Sequence, residues 1–289
     1  MLITGDLGFG VFNQYREERA SQFLNAGVAE QNMTQIATGM ALEGYKVFTY
    51  SIGNFPTLRC LEQIRNDAAY HGANVNVVSI GGGFSYGQLG ISHHATEDLA
   101  IMRSLPDVTS FAPCGLWETM EATKKIVEIP GTCFLRLDKD HGDDTPQLGE
   151  KFQVGKARII RQGNDCSIIV CGGILSEAQK AAKVLSEAHG IETRIISMHT
   201  IQPFDRIAVV KAAEETGAVI TLEEHTIHGG LGGAVAEALL DANVHPKRFL
   251  RIALEAGFSS IVGSQTYLRR QYNMDSDSII SRTLSLLEQ

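Results

Sequence analysis

The chain reads as two α/β units, each a mainly parallel sheet covered by helices. Three observations predict this. Apolar strand-like runs and amphipathic helix-like runs alternate from end to end, the pattern of parallel sheets whose crossovers are helices. One polar, turn-rich stretch, Asp138-Lys-Asp-His-Gly-Asp-Asp-Thr-Pro-Gln147, interrupts the alternation, which then restarts. With 289 residues, 44% of them hydrophobic, the chain is long and apolar enough for two cores. The expected division is a first unit over 1–140, a linker over 141–152 and a second unit over 153–289.

In the first unit, residues 46–50 (Lys-Val-Phe-Thr-Tyr) read as a strand. Residues 58–73 read as a helix, because Leu61, Ile64 and Ala68 share one face. Residues 76–80 form a strand that ends at three consecutive glycines, 81–83. A helix over 97–105 stops before Pro106, a strand over 108–112 stops at Pro113, and a helix over 117–127 leads to a strand over 133–137. In the second unit, strands are expected over 166–171, 193–197, 218–222 and 251–254, the last closing the sheet. Helices are expected over 175–189, after Gln202-Pro-Phe-Asp205, and after Gly229-Gly-Leu-Gly-Gly233. No internal repeat or low-complexity tract is visible.

The net charge of −8 argues against nucleic acid or an anionic membrane as the main partner. No apolar run approaches the roughly 20 residues of a membrane helix, and the first residues lack a signal-peptide pattern, so a cytoplasmic protein is expected. The five cysteines form no C-x-x-C pair and show no metal-site spacing. Buried free thiols in a reducing compartment are the expected state.

Two stretches carry chemistry. Asn25-Ala-Gly-Val-Ala-Glu-Gln-Asn-Met33 puts one carboxylate, Glu30, on a short apolar loop running into a helix. Burial there is costly unless the acid has a partner. Glu30 is either a dry acid tuned for proton transfer or a helix N-terminal carboxylate held by the dipole. Gly87-Gln-Leu-Gly-Ile-Ser-His-His-Ala-Thr-Glu-Asp98 delivers two histidines, His93 and His94, just before a helix. They either meet substrate hydroxyls or sit solvated while Ser92 or Thr96 caps the helix. A third stretch, Gly229–Gly233, does not match G-x-G-x-x-G and reads as tight backbone packing, with His225 and His228 as polar-edge or interface residues.

Taken together, "G-V-x-E-x-N-M" around Glu30, the Gly87–His94 loop, and Leu99-Ala-Ile-Met-Arg-Ser-Leu-Pro106 resemble the transketolase family. The resemblance covers essentially the whole chain. It implies a pyrimidine-binding domain followed by the family's C-terminal domain, as in the second subunit of a split, two-chain transketolase. It implies thiamine diphosphate as cofactor, Glu30 as the acid that activates it, and His93 as the contact to donor hydroxyls. Phe55, in Gly53-Asn-Phe-Pro56, falls where the family stacks a ring on the aminopyrimidine; ordinary core is the other reading. The implied activity is transfer of a two-carbon ketol unit from a ketose to an aldehyde.

The departures from the family pattern are informative. No Gly-Asp-Gly occurs, so the Mg²⁺ and diphosphate ligands are expected from a partner subunit, with two copies of each chain. Leu89 stands where the family has an Asp that reads a sugar hydroxyl. Gly81 stands where it has a phosphate-contacting His. Either Arg136 or Leu137 falls at a phosphate-binding Arg. Arg59 could compensate by binding phosphate or carboxylate, or be a surface helix residue. An atypical acceptor is therefore expected. Two alternatives stand beside this reading. One is a pyruvate-using relative, of the deoxyxylulose-phosphate-synthase or 2-oxoacid-dehydrogenase β type. The other is a binding or regulatory module that has lost catalysis.

Overall fold

The computed structural model describes residues 1–255 and 257–288, so Ala256 and Gln289, both within the expected second unit, lie outside the described residues. The chain opens with β1 (Leu2–Thr4), α1 (Asn13–Glu18), β2 (Phe23–Asn25), α2 (Glu30–Leu42) and β3 (Val47–Ile52). A mixed helical segment follows: a 3-10 turn Leu58–Cys60, α3 (Leu61–Gln63) and a π-helical stretch Ile64–Ala69. Then come β4 (Val75–Ile80), α4 (Asp98–Ser104), β5 (Val108–Phe111), α5 (Leu116–Ile126) and β6 (Thr132–Leu137). The remainder runs β7 (Arg158–Arg161), β8 (Cys166–Val170), α6 (Leu175–His189), β9 (Thr193–Ser197), β10 (Thr200–Gln202) and α7 (Arg206–Thr216). It ends with β11 (Ala218–Thr226), α8 (Leu231–Asp241), β12 (Arg248–Leu254), α9 (Gln265–Gln271) and α10 (Ser276–Glu288).

These strands make two sheets, as the alternation predicts. The first has the order β10-β5-β6-β4-β3-β1-β2, the second β12-β11-β8-β9-β7. Both are parallel except at one edge, where β10 pairs antiparallel with β5 and β7 antiparallel with β9. The central strands are buried almost throughout, as expected for parallel strands covered on both faces. The helix expected over 58–73 keeps its apolar face, since Ile64 and Ala68 are fully buried, but its hydrogen bonding is 3-10, α and π in turn.

One expectation needs correcting. Residues 202–205 do not open a helix. Thr200–Gln202 instead crosses to the first sheet and forms its edge, and α7 starts only at Arg206. Asp205 is its N-cap, its carboxylate accepting from the Ala208 N–H at 3.2 Å.

Residues 138–157 carry no helix or strand, yet they are stitched to both units. Asp138 accepts from the Gly173 N–H at 2.6 Å, and Asp140 accepts from Ser176 at 2.8 Å. Asp144 accepts the N–H groups of Trp117 and Glu118 at the start of α5. Between the sheets lies a buried ionic network. Arg136 on β6, 1% exposed, pairs with Asp98 at 3.1 Å and donates to the Glu224 carbonyl at 2.9 Å. The Glu224 carboxylate accepts from the Phe84 N–H and from Arg269 on α9. Burial pushes the Asp98 carboxyl up to about 6, although Arg136 pulls the other way. Arg136 is thus committed to the interior and does not reach a substrate channel.

The five cysteines are free and buried, as expected. Among the described residues no helix is long and apolar enough to cross a membrane.

Candidate active site

The chemistry-bearing loops all leave the carboxyl ends of strands in the first sheet, where ligands of open α/β sheets bind. After β2, Asn25 accepts from the Gly27 N–H and the Asp6 N–H, both at 3.0 Å. Gly27, at φ +74°, lets the loop reverse there. This short locked loop delivers Glu30 as the first residue of α2, at the helix N-terminus. Glu30 is 3% exposed, close against Gly5, where an added Cβ would lie 3.1 Å from the Glu30 Cγ. Its carboxylate accepts from Arg59 Nη1 at 2.7 Å.

After β3, the Gly53 carbonyl accepts from Ser79 and Thr57, each at 3.0 Å, and Asn54 donates to the His94 carbonyl at 2.9 Å. These bonds fix the turn that carries Phe55 and tie it to the His93 loop. The Phe55 and His93 rings meet edge to face at 5.2 Å. The Arg59 guanidinium lies over the other side of the cluster, 4.7 Å from the Phe55 centroid. Glu30, Arg59, Phe55 and His93, four residues singled out from sequence, therefore form one continuous chain of contacts. Leu89 sits on the exposed 3-10 turn Gly87–Leu89 of the same loop and presents only an apolar side chain.

The two histidines divide their roles. His94 is buried, packs edge to face on Phe84 and bonds the Gly87 carbonyl through Nε2 at 3.2 Å. His93 is half-buried and bonds Ser92 Oγ through Nδ1 at 2.9 Å. Burial, with a contribution from His94, lowers the His93 pKa, so its imidazole is neutral at pH 7 and can donate or accept.

Sequence reasoning missed Tyr86 and Lys139. A Cβ on Gly81 would fall 2.3 Å from the Tyr86 ring, so the space a side chain at 81 would use is filled by Tyr86. The Lys139 ammonium sits 3.6 Å above that ring, and Tyr86 in turn lies 6.3 Å from His93. The only sequence signal for this was the glycine itself.

The Gly229–Gly233 turn is filled internally, as tight packing predicts. Glu223 accepts from the Leu231 and Gly232 N–H groups at 2.7 and 2.8 Å, taking the position an anion would need. His225 is buried between the units, its Nε2 accepting from the Ala100 N–H at 3.3 Å, while His228 is exposed.

The site fits half of a thiamine diphosphate pocket. It offers a buried carboxylate and an aromatic face that already receive a planar cation together. Among the described residues no group of His, Cys, Asp and Glu could hold a metal ion.

Comparison with known proteins agrees along the whole chain. The model of the transketolase pyrimidine-binding domain matches residues 1–143, and that of the transketolase C-terminal domain matches residues 155–279. One of the two subunits of an apulose-4-phosphate transketolase from Phocaeicola vulgatus is 34% identical, over 99% of this chain and 90% of that one. A putative transketolase C-terminal section from Methanocaldococcus jannaschii is 36% identical, over 93% of this chain and 84% of that one. Among solved structures, a split-gene transketolase in an inactive β4 tetramer is similar at TM-score 0.86 and 31% identity, covering 100% of this chain and 91% of that one.

Proposed function

This chain belongs to the transketolase family as its C-terminal section, and from that premise we propose that it is one subunit of a two-chain, thiamine-diphosphate-dependent ketol transferase. The observation that carries the reading is the convergence of Glu30, Phe55 and His93 at the carboxyl ends of the first sheet's strands. When bound, the cofactor supplies the carbanion stabilisation that cleavage beside a ketose carbonyl requires. Glu30 holds or moves a proton at the aminopyrimidine, Phe55 stacks on that ring, and His93 bonds the donor hydroxyls.

The partner would bring the diphosphate-binding domain and its Mg²⁺, two copies of each chain forming the enzyme. Exposed apolar side chains beside the site support a covering partner. Val28, two residues before Glu30, is 75% exposed, and Phe9, Val11, Leu58 and Ile91 are exposed with it. Leu89 and the Tyr86-filled space at Gly81 support an acceptor other than the usual aldose phosphates. Arg59 offers such a substrate a cation. The apolar Leu89 also favours a second reading, a donor without the hydroxyl that an Asp would recognise there, as in pyruvate-using relatives. A screen of pyruvate against ketoses and hydroxypyruvate separates the two.

The solved relative is an inactive β4 tetramer, and the same behaviour is expected here. The chain purified alone should self-associate and show no turnover. Co-expressed with a partner bearing Gly-Asp-Gly, it should turn over and hold one cofactor per pair of chains, read by native mass and thiamine content. A chain that pulls down no partner and no cofactor from its host lysate would defeat the proposal. In the complex, His93→Ala should slow turnover about 10²-fold, the lower end for a positioned acid–base group, with cofactor affinity unchanged. Equal turnover would remove His93 from the site.

A further inference from the structure

Arg59 occupies both features that the proposed function assigns to the cofactor's ring. Its Nη1 donates to Glu30 at 2.7 Å, and its guanidinium carbon lies 4.7 Å from the Phe55 centroid. A guanidinium is a flat N–C–N unit carrying donors at its edge and a cationic face. The aminopyrimidine presents the same N–C–N edge and a flat face. Both therefore satisfy a buried carboxylate at the edge and an aromatic ring at the face.

We propose that Arg59 is a built-in placeholder for the cofactor, pairing with Glu30 and covering Phe55 until the aminopyrimidine displaces it. The inference rests on the cofactor reading above. Glu30, 3% exposed, would otherwise face the cost of a buried carboxylate without a partner. Arg59 supplies that partner at little cost, because its own side chain is 46% exposed and can swing back to water by rotamer changes alone. Its backbone sits on the 3-10 turn Leu58–Cys60 and need not move. Glu30 therefore stays paired in either state, and loading becomes an exchange of one planar group for another. The subunit is thus stable before assembly, at the expense of cofactor affinity.

The test is calorimetric titration of thiamine diphosphate with Mg²⁺ into the reconstituted complex carrying native Arg59, Arg59→Met or Arg59→Lys. Removing the competitor should tighten binding, by about tenfold for Arg59→Met, which corresponds to about 1.4 kcal/mol. Arg59→Lys should fall between, because an ammonium can pair with Glu30 but cannot lie flat on Phe55. Equal or weaker binding by both variants overturns the placeholder and leaves the cofactor reading standing. Absence of binding by all three, the native complex included, overturns both.

Discussion

Glu30→Gln in the reconstituted complex is expected to cost about 10²–10⁴-fold in turnover, the range over which a positioned acid or base contributes. Gln keeps the length and hydrogen-bonding shape of Glu but cannot carry the negative charge or take up the proton. Local geometry gives the substitution little else to disturb. Glu30 is held at the start of α2 by the Asn25–Ala29 loop, and its ionic partner, Arg59, is half in water. The loss of stability should therefore stay within about 1 kcal/mol, as for a pair with an exposed member. Steady-state turnover alongside a thermal melt reads both quantities. Near-native turnover, with the cofactor bound, would show that Glu30 is a helix-terminal carboxylate and nothing more.

Arg136→Met should be the most damaging change to the fold, about 3–5 kcal/mol, because it strands a buried charge. Met nearly fills the volume, so the effect isolates the lost guanidinium. Asp98, wholly buried, pairs with Arg136 at 3.1 Å and with no other cation among the described residues. The loss should depend on pH with a definite sign. In the native chain burial raises the Asp98 carboxyl from an ordinary 3.8 to about 6. Its ionised form is thus a burden that is fully present above about 6 and is relieved as pH falls through that value. Without Arg136 the carboxyl rises further, so relief starts at higher pH. The melting-temperature gap between native and variant should therefore be widest near pH 8 and narrow by about pH 5.5. A gap that is constant or grows on acidification would contradict the assignment of the charge to Asp98.

Much of the fold was legible because its signals are local. α6 and β9 fall on the expected residues 175–189 and 193–197, the helix stopped by Gly190 in the left-handed conformation. The short strands β1, β2 and β10, three residues each, have no periodicity to read. β10 exists only because β5, about 90 residues earlier, offers it a ladder. The candidate site followed the same division. Glu30, Phe55 and His93 stand in loops whose composition marks them. That Arg59 pairs with Glu30 across 29 residues, or that Tyr86 fills the space at Gly81, is written in no local pattern. Arg136 illustrates the converse, since a charged residue between apolar ones looks identical whether it faces a ligand or an interior Asp98.

The edge strand β10 also sets a timetable for synthesis. Phe111 pairs with Thr200, so the ribosome must add 89 more residues before β5 finds its neighbour. At ~5–20 residues per second that interval is roughly 4–18 s, and the chain must clear the exit tunnel as well. For that time the nascent first unit displays an open sheet margin of the kind that recruits other chains. Slow translation across the second unit would lengthen this exposure, and a chaperone bound near β5 would shorten it. The two units are thus linked in time during biosynthesis, the earlier one completed only when the later one is partly made.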